Sequence, residues 1–432
     1  MNVRATRFPL FDSLRAIAAL AVLGAHAAVF AGLETSAGTT LGRYAARLDA
    51  GVAVFFVISG FLLYRPFVRA RLQGTRAPAT GPYAWRRFLR IVPAYWVALT
   101  LITLLFGTHG DVFGWPGVVH FYGIAQAYSS ASFGGGLTQA WSLTVEVAFY
   151  AFLPLWAAAM RLVLRRRGFR AEMIALGALF AAGVIYKIAV LSGGDPNQVT
   201  IGPKLVALPA YFDHFALGMM LAALSVWVEQ HERLPRSLRW IDRFPSLSWL
   251  VALVAFWAVS TQIGLYGRFL EPFSSTNYME RHLLYALFAI GLVAPAVLGD
   301  QTRGVTRRFL ALRPLLWLGL ISYGIFLWNL ALLDRLSHWG YGDVPVLGSV
   351  PGWFIGGVVV TVPVAAASYY VVERPALSLK GLFPDSSLRL RGEALEEPAP
   401  VTALARPADS ERSLEPPPHA PARGRSSAPP LR

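Results

Sequence analysis

The chain is 432 residues long, 55% hydrophobic and only 15% charged, with a mean hydropathy of +0.49. Those values exclude an ordinary soluble domain and point to a polytopic membrane protein. The absence of cysteine excludes a disulfide framework, a cysteine-ligated metal or iron–sulfur cluster and a thiol nucleophile.

Apolar runs lie near 11–31, 50–64, 91–107, 142–160, 174–192, 205–228, 247–266, 282–299, 315–334 and 352–372, which predicts an all-α bundle of about ten transmembrane helices. The net charge of +15 sits in clusters between these runs, so membrane topology explains it better than nucleic acid does. Connection 65–90 carries seven arginines and 161–170 five, whereas 108–140 and 337–351 carry no Lys or Arg. By the positive-inside rule both termini are expected on the cytoplasmic side. The first run is too long for a signal-peptide core and is read as retained. A transmembrane domain over 1–383 is expected, followed by a disordered Pro/Ala/Arg-rich cytoplasmic tail at 384–432. The outward segment 108–140 mixes aromatics, small polar residues and a Gly triplet, suited either to a sugar-binding surface or to an interfacial aromatic belt.

Charges inside hydrocarbon cost several kcal/mol on insertion scales and need partners. In the first run, Arg15 and His26 are eleven residues apart, which puts them on one helical stripe about 16 Å apart, and Asp12 lies one turn before Arg15. The bland alternative is an Asp12–Arg15 clamp and a histidine that only bonds across the bundle. In the second run, Ser59 and Gly60 suit close helix approach. Arg86, Arg87 and Arg90 enter the third run at the cytoplasmic interface, where they can hold the phosphates of an anionic cofactor or contact lipid phosphates. In Ala140 to Leu155, Glu146 shares a face with Ser142 and Tyr150, and a buried carboxylate there needs a donor. Ser322, Tyr323, Asn329 and Asp334 punctuate the ninth run, with helix packing as their simplest role.

Together these stretches resemble the acyltransferase 3 family of integral membrane O-acyltransferases, over essentially residues 8 to 376. The family's Asp-x-x-Arg followed by a His matches Asp12, Arg15 and His26, and its Ser-Gly-Phe-Leu matches Ser59 to Leu62. Arg87, Arg90 and Pro93 match its Arg-x-x-Arg helix start, Trp141 to Tyr150 its Trp-Ser-Leu-x-x-Glu-x-x-Phe-Tyr, and Val372 to Pro375 its Val-Glu-Arg-Pro. One departure is Asn329, where the family often has histidine.

The resemblance implies transfer of an acyl group from cytoplasmic acyl-CoA, with acetyl-CoA the expected form, to a hydroxyl of a glycan, glycolipid or glycosylated small molecule, with no metal required. His26 would be the general base, an acyl-histidine being the less favoured variant, and Arg15 and Glu146 would complete the catalytic group. Arg86, Arg87 and Arg90, with Ser59 and Gly60, would bind the CoA co-substrate. Asp12, Trp141, Ser142 and Tyr150 would face the acceptor. The implied location is the bacterial inner membrane. The alternative from another class is a secondary transporter or exporter of an acid or sugar, with Arg15, His26 and Glu146 lining its cavity; no clear internal repeat of the kind common in transporters is present.

Overall fold

The computed structural model describes residues 8, 10–32, 40–108, 110–164, 167–198, 201–231, 235–265 and 274–383; the expected tail at 384–432 lies outside them. Among the described residues all regular structure is helical. The principal helices are α1 (Leu10–Phe30), α2 (Gly51–Leu72), α3 (Thr80–Phe106), α4 (Trp141–Val163), α5 (Phe169–Ser192) and α6 (Phe212–His231). They are followed by α7 (Pro245–Thr261), α8 (Ser275–Val293), α9 (Arg313–Leu320), α10 (Ser322–His338) and α11 (Val350–Ser368).

Each apolar run falls on one of these helices or on the pair α9–α10, and the chain is a polytopic membrane helical bundle. Among the described residues seven helices are long and apolar enough to cross a membrane, or nine spans if the two sharply bent pairs each count as one. The run 282–299 falls on α8, which is outside that set because Glu280, Arg281 and His282 interrupt it. One bent pair is α9–α10, which turns by 71° at Ile321 and so brings Ser322 and Tyr323 toward α3.

The connection expected over 65–90 is mostly helix. α2 continues to Leu72 and α3 begins at Thr80, so only 73–79 is non-helical. Polar helix ends read as loop in a hydropathy pattern because the backbone's hydrogen bonds are not visible in composition. The arginines there also do more than set topology. Arg65 and Arg69 pair with Glu229 at the end of α6, and Arg71 pairs with Glu172 of α5, which also accepts from Tyr64. Charge in a poorly solvated helix end is thereby neutralised across three helices.

α2 is the hub, packing against α1, α4, α6 and α8. Phe56, Val57, Ile58, Phe61 and Tyr64 are buried on its different faces. Small residues set the closest approach, as expected where lipid removes a hydrophobic drive between helices. A Cβ at Gly60 would meet the Phe215 carbonyl oxygen at 2.3 Å, and one at Gly218 would meet that of Val57 at 2.0 Å, so α2 and α6 touch backbone to backbone at two levels. Gly218→Leu is therefore expected to force the pair apart and cost about 2 kcal/mol or more, read as a lower melting temperature in detergent. Gly177→Ala, on α5 with open space around it, is expected to leave melting unchanged or slightly raised.

Candidate active site

A cavity of about 100 Å³ lies between α1, α2, α3, α4 and α10. Its walls carry three guanidinium groups, from Arg15, Arg87 and Arg90, and one carboxylate, Glu146. Ser59, Ser142 and Tyr150, also singled out in the sequence, line the same space. Hydrophobic residues such as Phe55, Leu62 and Phe326 make up much of the rest, so the polar groups converge in a largely apolar setting.

The carboxylate is held from two sides. Ser59 Oγ donates to Glu146 Oε1 at 2.5 Å, and Tyr150 OH donates to the same oxygen at 2.8 Å. The Tyr150 contact follows from its place one turn after Glu146 on α4. Pro154, four residues further on, cannot donate to the Tyr150 carbonyl; Tyr83 OH does so instead at 3.3 Å, tying α4 to α3.

The guanidinium groups differ in how they are held. Arg15 Nη1 pairs with Asp12 Oδ1 at 3.1 Å, the clamp expected one turn apart, and Asp12 itself does not line the cavity. Arg90 Nη1 lies 3.6 Å from Glu373 Oε2. Arg87 faces the Tyr150 ring at 6.0 Å, and its Nε is buried without a hydrogen-bond partner. Buried donors in need of an acceptor are what an anionic ligand would satisfy.

Glu373 was legible only as part of a motif. It is buried at the end of a π-helical turn, Tyr369–Glu373, that continues α11. The extra residue of a π turn shifts the register of the helix, and here the turn ends with this carboxylate under Arg90. Tyr323 also lines the cavity and donates to the Ile91 carbonyl of α3 at 3.0 Å.

His26 lies on α1 three turns beyond Arg15 and does not line this cavity. Its Nδ1 is 2.5 Å from Asn329 Oδ1 of α10. The Asn329 amide nitrogen donates to the carbonyls of Ile325 at 2.8 Å and Phe326 at 2.9 Å, which fixes the oxygen toward the histidine. An amide oxygen only accepts, so the imidazole proton sits on Nδ1 and the Nε2 lone pair is left available. Asn329 thus orients the ring. Glu146 makes no hydrogen bond to His26 among the described residues.

Three further expected residues are placed elsewhere. Gly60 faces α6, because a residue next to Ser59 is turned by about 100° on a helix, and its role is packing. Arg86 is half-buried near the N-terminal end of α3 but does not line the cavity. Trp141 lines a second cavity of about 350 Å³ that Asp49, Lys187, Tyr211 and His282 also border, and Val52 lines both cavities. Lys187 and His282 belong to a buried cluster with Asp213 and His214 that sequence reading passed over. Lys187 and Asp213 interrupt apolar runs just as Arg15 does, and the same cost argument would have found them.

A family model described as an acyltransferase domain matches residues 9–370. The chain is 27% identical over 386 residues to a Bacillus subtilis protein provisionally named a peptidoglycan O-acetyltransferase, covering 85% of this chain and 54% of that one. It is 24% identical over 358 residues to the peptidoglycan O-acetyltransferase of Listeria monocytogenes, covering 76% of this chain and 51% of that one. It thus spans about half the length of these relatives. No solved structure matches it. On the extent of the domain match, the chain belongs to the acyltransferase 3 family.

Proposed function

We propose that this protein is a membrane O-acyltransferase that moves an acyl group from cytoplasmic acyl-CoA to a hydroxyl of a carbohydrate acceptor, with His26 as general base. The observation that carries this reading is the convergence of Arg15, Arg87 and Arg90 on one intramembrane cavity, with His26 further along the same helix as Arg15. The names of the relatives favour an acetyl group as cargo and a peptidoglycan glycan as acceptor. A bacterial inner-membrane location with both termini in the cytoplasm fits the loop charges.

Arg87 and Arg90 bind the CoA phosphates at the cytoplasmic end of α3, with Arg86 at the rim, and Glu373 steadies Arg90. The acyl arm runs past Ser59, and Arg15 holds its pantetheine portion. His26 Nε2 takes the proton of the acceptor hydroxyl as that oxygen attacks the thioester carbonyl; the C–S bond breaks and the CoA thiolate leaves, taking up a proton. Glu146, fixed by Ser59 and Tyr150, contributes a carboxylate to the same wall.

His26→Ala is expected to abolish transfer while leaving membrane insertion intact; retained activity would remove His26 from the mechanism. Asn329→Ala leaves the ring without its acceptor and is expected to lower kcat by about tenfold or more with little change in the KM for acyl-CoA. Arg87→Ala combined with Arg90→Ala removes charge-assisted contacts and is expected to raise that KM by about tenfold or more, measured as release of free CoA by purified protein. An unaltered dependence on acyl-CoA concentration would count against the donor-site assignment.

A further inference from the structure

The second cavity gathers residues from segments far apart in the chain. Asp49 precedes α2, Phe133 comes from the 108–140 segment, Trp141 opens α4, Lys187 is on α5, Tyr211 leads into α6, and Tyr278, Arg281 and His282 stand on the first turns of α8. On the orientation expected from loop charge, all of these lie toward the outward side. Along α2 this cavity is lined as far as Ala53 and the first from Val52 to Leu63, so the two adjoin at Val52.

Lys187 is fully buried on the wall of this space. Its Nζ donates to His282 Nδ1 at 2.8 Å, because an ammonium cannot accept. The His282 proton is therefore on Nε2, which donates to Asp213 Oδ2 at 2.6 Å. Asp213 Oδ1 accepts from the His214 backbone at 2.8 Å and from its ring Nδ1 at 2.9 Å. Asp213, His214 and His282 have the proximity of metal ligands, but these bonds commit their facing atoms to one another. The chain of bonds fixes Lys187 and consumes one of its three donors. The ammonium also faces the Tyr211 ring at 4.2 Å, and no second oxygen or nitrogen acceptor contacts it among the described residues. A buried ammonium with donors to spare calls for oxygen atoms from a ligand.

Charge and shape narrow that ligand. Lys187 is balanced through His282 by Asp213, and Arg281 feels the charge of Asp49, which also accepts from Tyr285. The wall is thus close to neutral, which disfavours a net charge in the occupant. Trp141, Tyr211 and Phe133 offer flat apolar faces of the kind that pack against the C–H face of a sugar ring. We infer that this cavity is the acceptor site and takes an uncharged pyranose, its hydroxyl or amide oxygens on Lys187 and its ring face on the aromatic side chains. The word acceptor rests on the O-acyltransferase reading; the sugar site does not.

The test is equilibrium binding of N,N′-diacetylchitobiose, an uncharged sugar, and of a digalacturonate, an acidic one, to the full chain in lipid nanodiscs without any donor. The neutral disaccharide is expected to bind and the acidic one to bind at least about tenfold more weakly. Lys187→Met is expected to raise the dissociation constant for the neutral sugar about tenfold or more. Phe133→Ala, on a half-buried segment outside the long helices, is expected to weaken binding less and decides the matter if Lys187→Met fails to fold. Arg87→Ala, at the other cavity, is expected to leave binding within about twofold. Preference for the acidic sugar, absence of neutral-sugar binding, or wild-type affinity in the Phe133 variant together with any folded Lys187 variant overturns the site. Because no donor is present, sugar binding without acyl transfer would sink the O-acyltransferase reading alone, and acyl transfer without this binding would sink the sugar site alone.

Discussion

An ionised side chain inside a membrane bundle needs a partner, and that requirement organises the molecule. Several acids of the bundle are engaged across helices. Glu172 is shared by Tyr64 and Arg71, Glu229 by Arg65 and Arg69, Asp213 by His214 and His282, and Glu146 accepts from Ser59 as well as from Tyr150 of its own helix. Each bridging group fixes the register of one helix against another with a directional contact, which lipid-facing apolar surface cannot do. At two places where the pairing leaves a donor over, Arg87 Nε and Lys187 Nζ, there is a cavity beside it.

The hub helix α2 converts this local chemistry into a layout. Its middle meets α6 backbone to backbone at Gly60 and Gly218, while the adjacent Ser59 is turned toward Glu146. Its C-terminal end is held by Arg65, Arg69 and Arg71, and its other end, after Asp49, borders the second cavity. One rigid element thus flanks two polar spaces that adjoin at Val52.

The first helix shows the same economy. Arg15 opens onto the guanidinium-lined space, and His26 is locked by Asn329 of α10. The asparagine that departs from the family's usual histidine cannot titrate, yet it defines which imidazole nitrogen carries the proton. A residue change that removes one proton-handling group therefore leaves the ring oriented.

What the sequence determined by itself was the membrane class, the position of the helices and seven residues that line one cavity. These follow from local facts: hydrophobic length gives spans, and an isolated charge in a long apolar run marks a polar face. Arg15, Ser59, Arg87, Arg90, Ser142, Glu146 and Tyr150, drawn from four separate motifs, do meet in one cavity. The tertiary structure alone decided that Gly60 is turned to α6, that Trp141 borders the second space, that Glu373 sits under Arg90 and that Asn329 holds His26. It also joined Lys187, Asp213 and His282, which are 26 and 69 residues apart in turn, into one hydrogen-bonded chain. Periodicity tells which residues share a face of one helix, but which helix that face meets is set by long-range packing, and no local pattern encodes it.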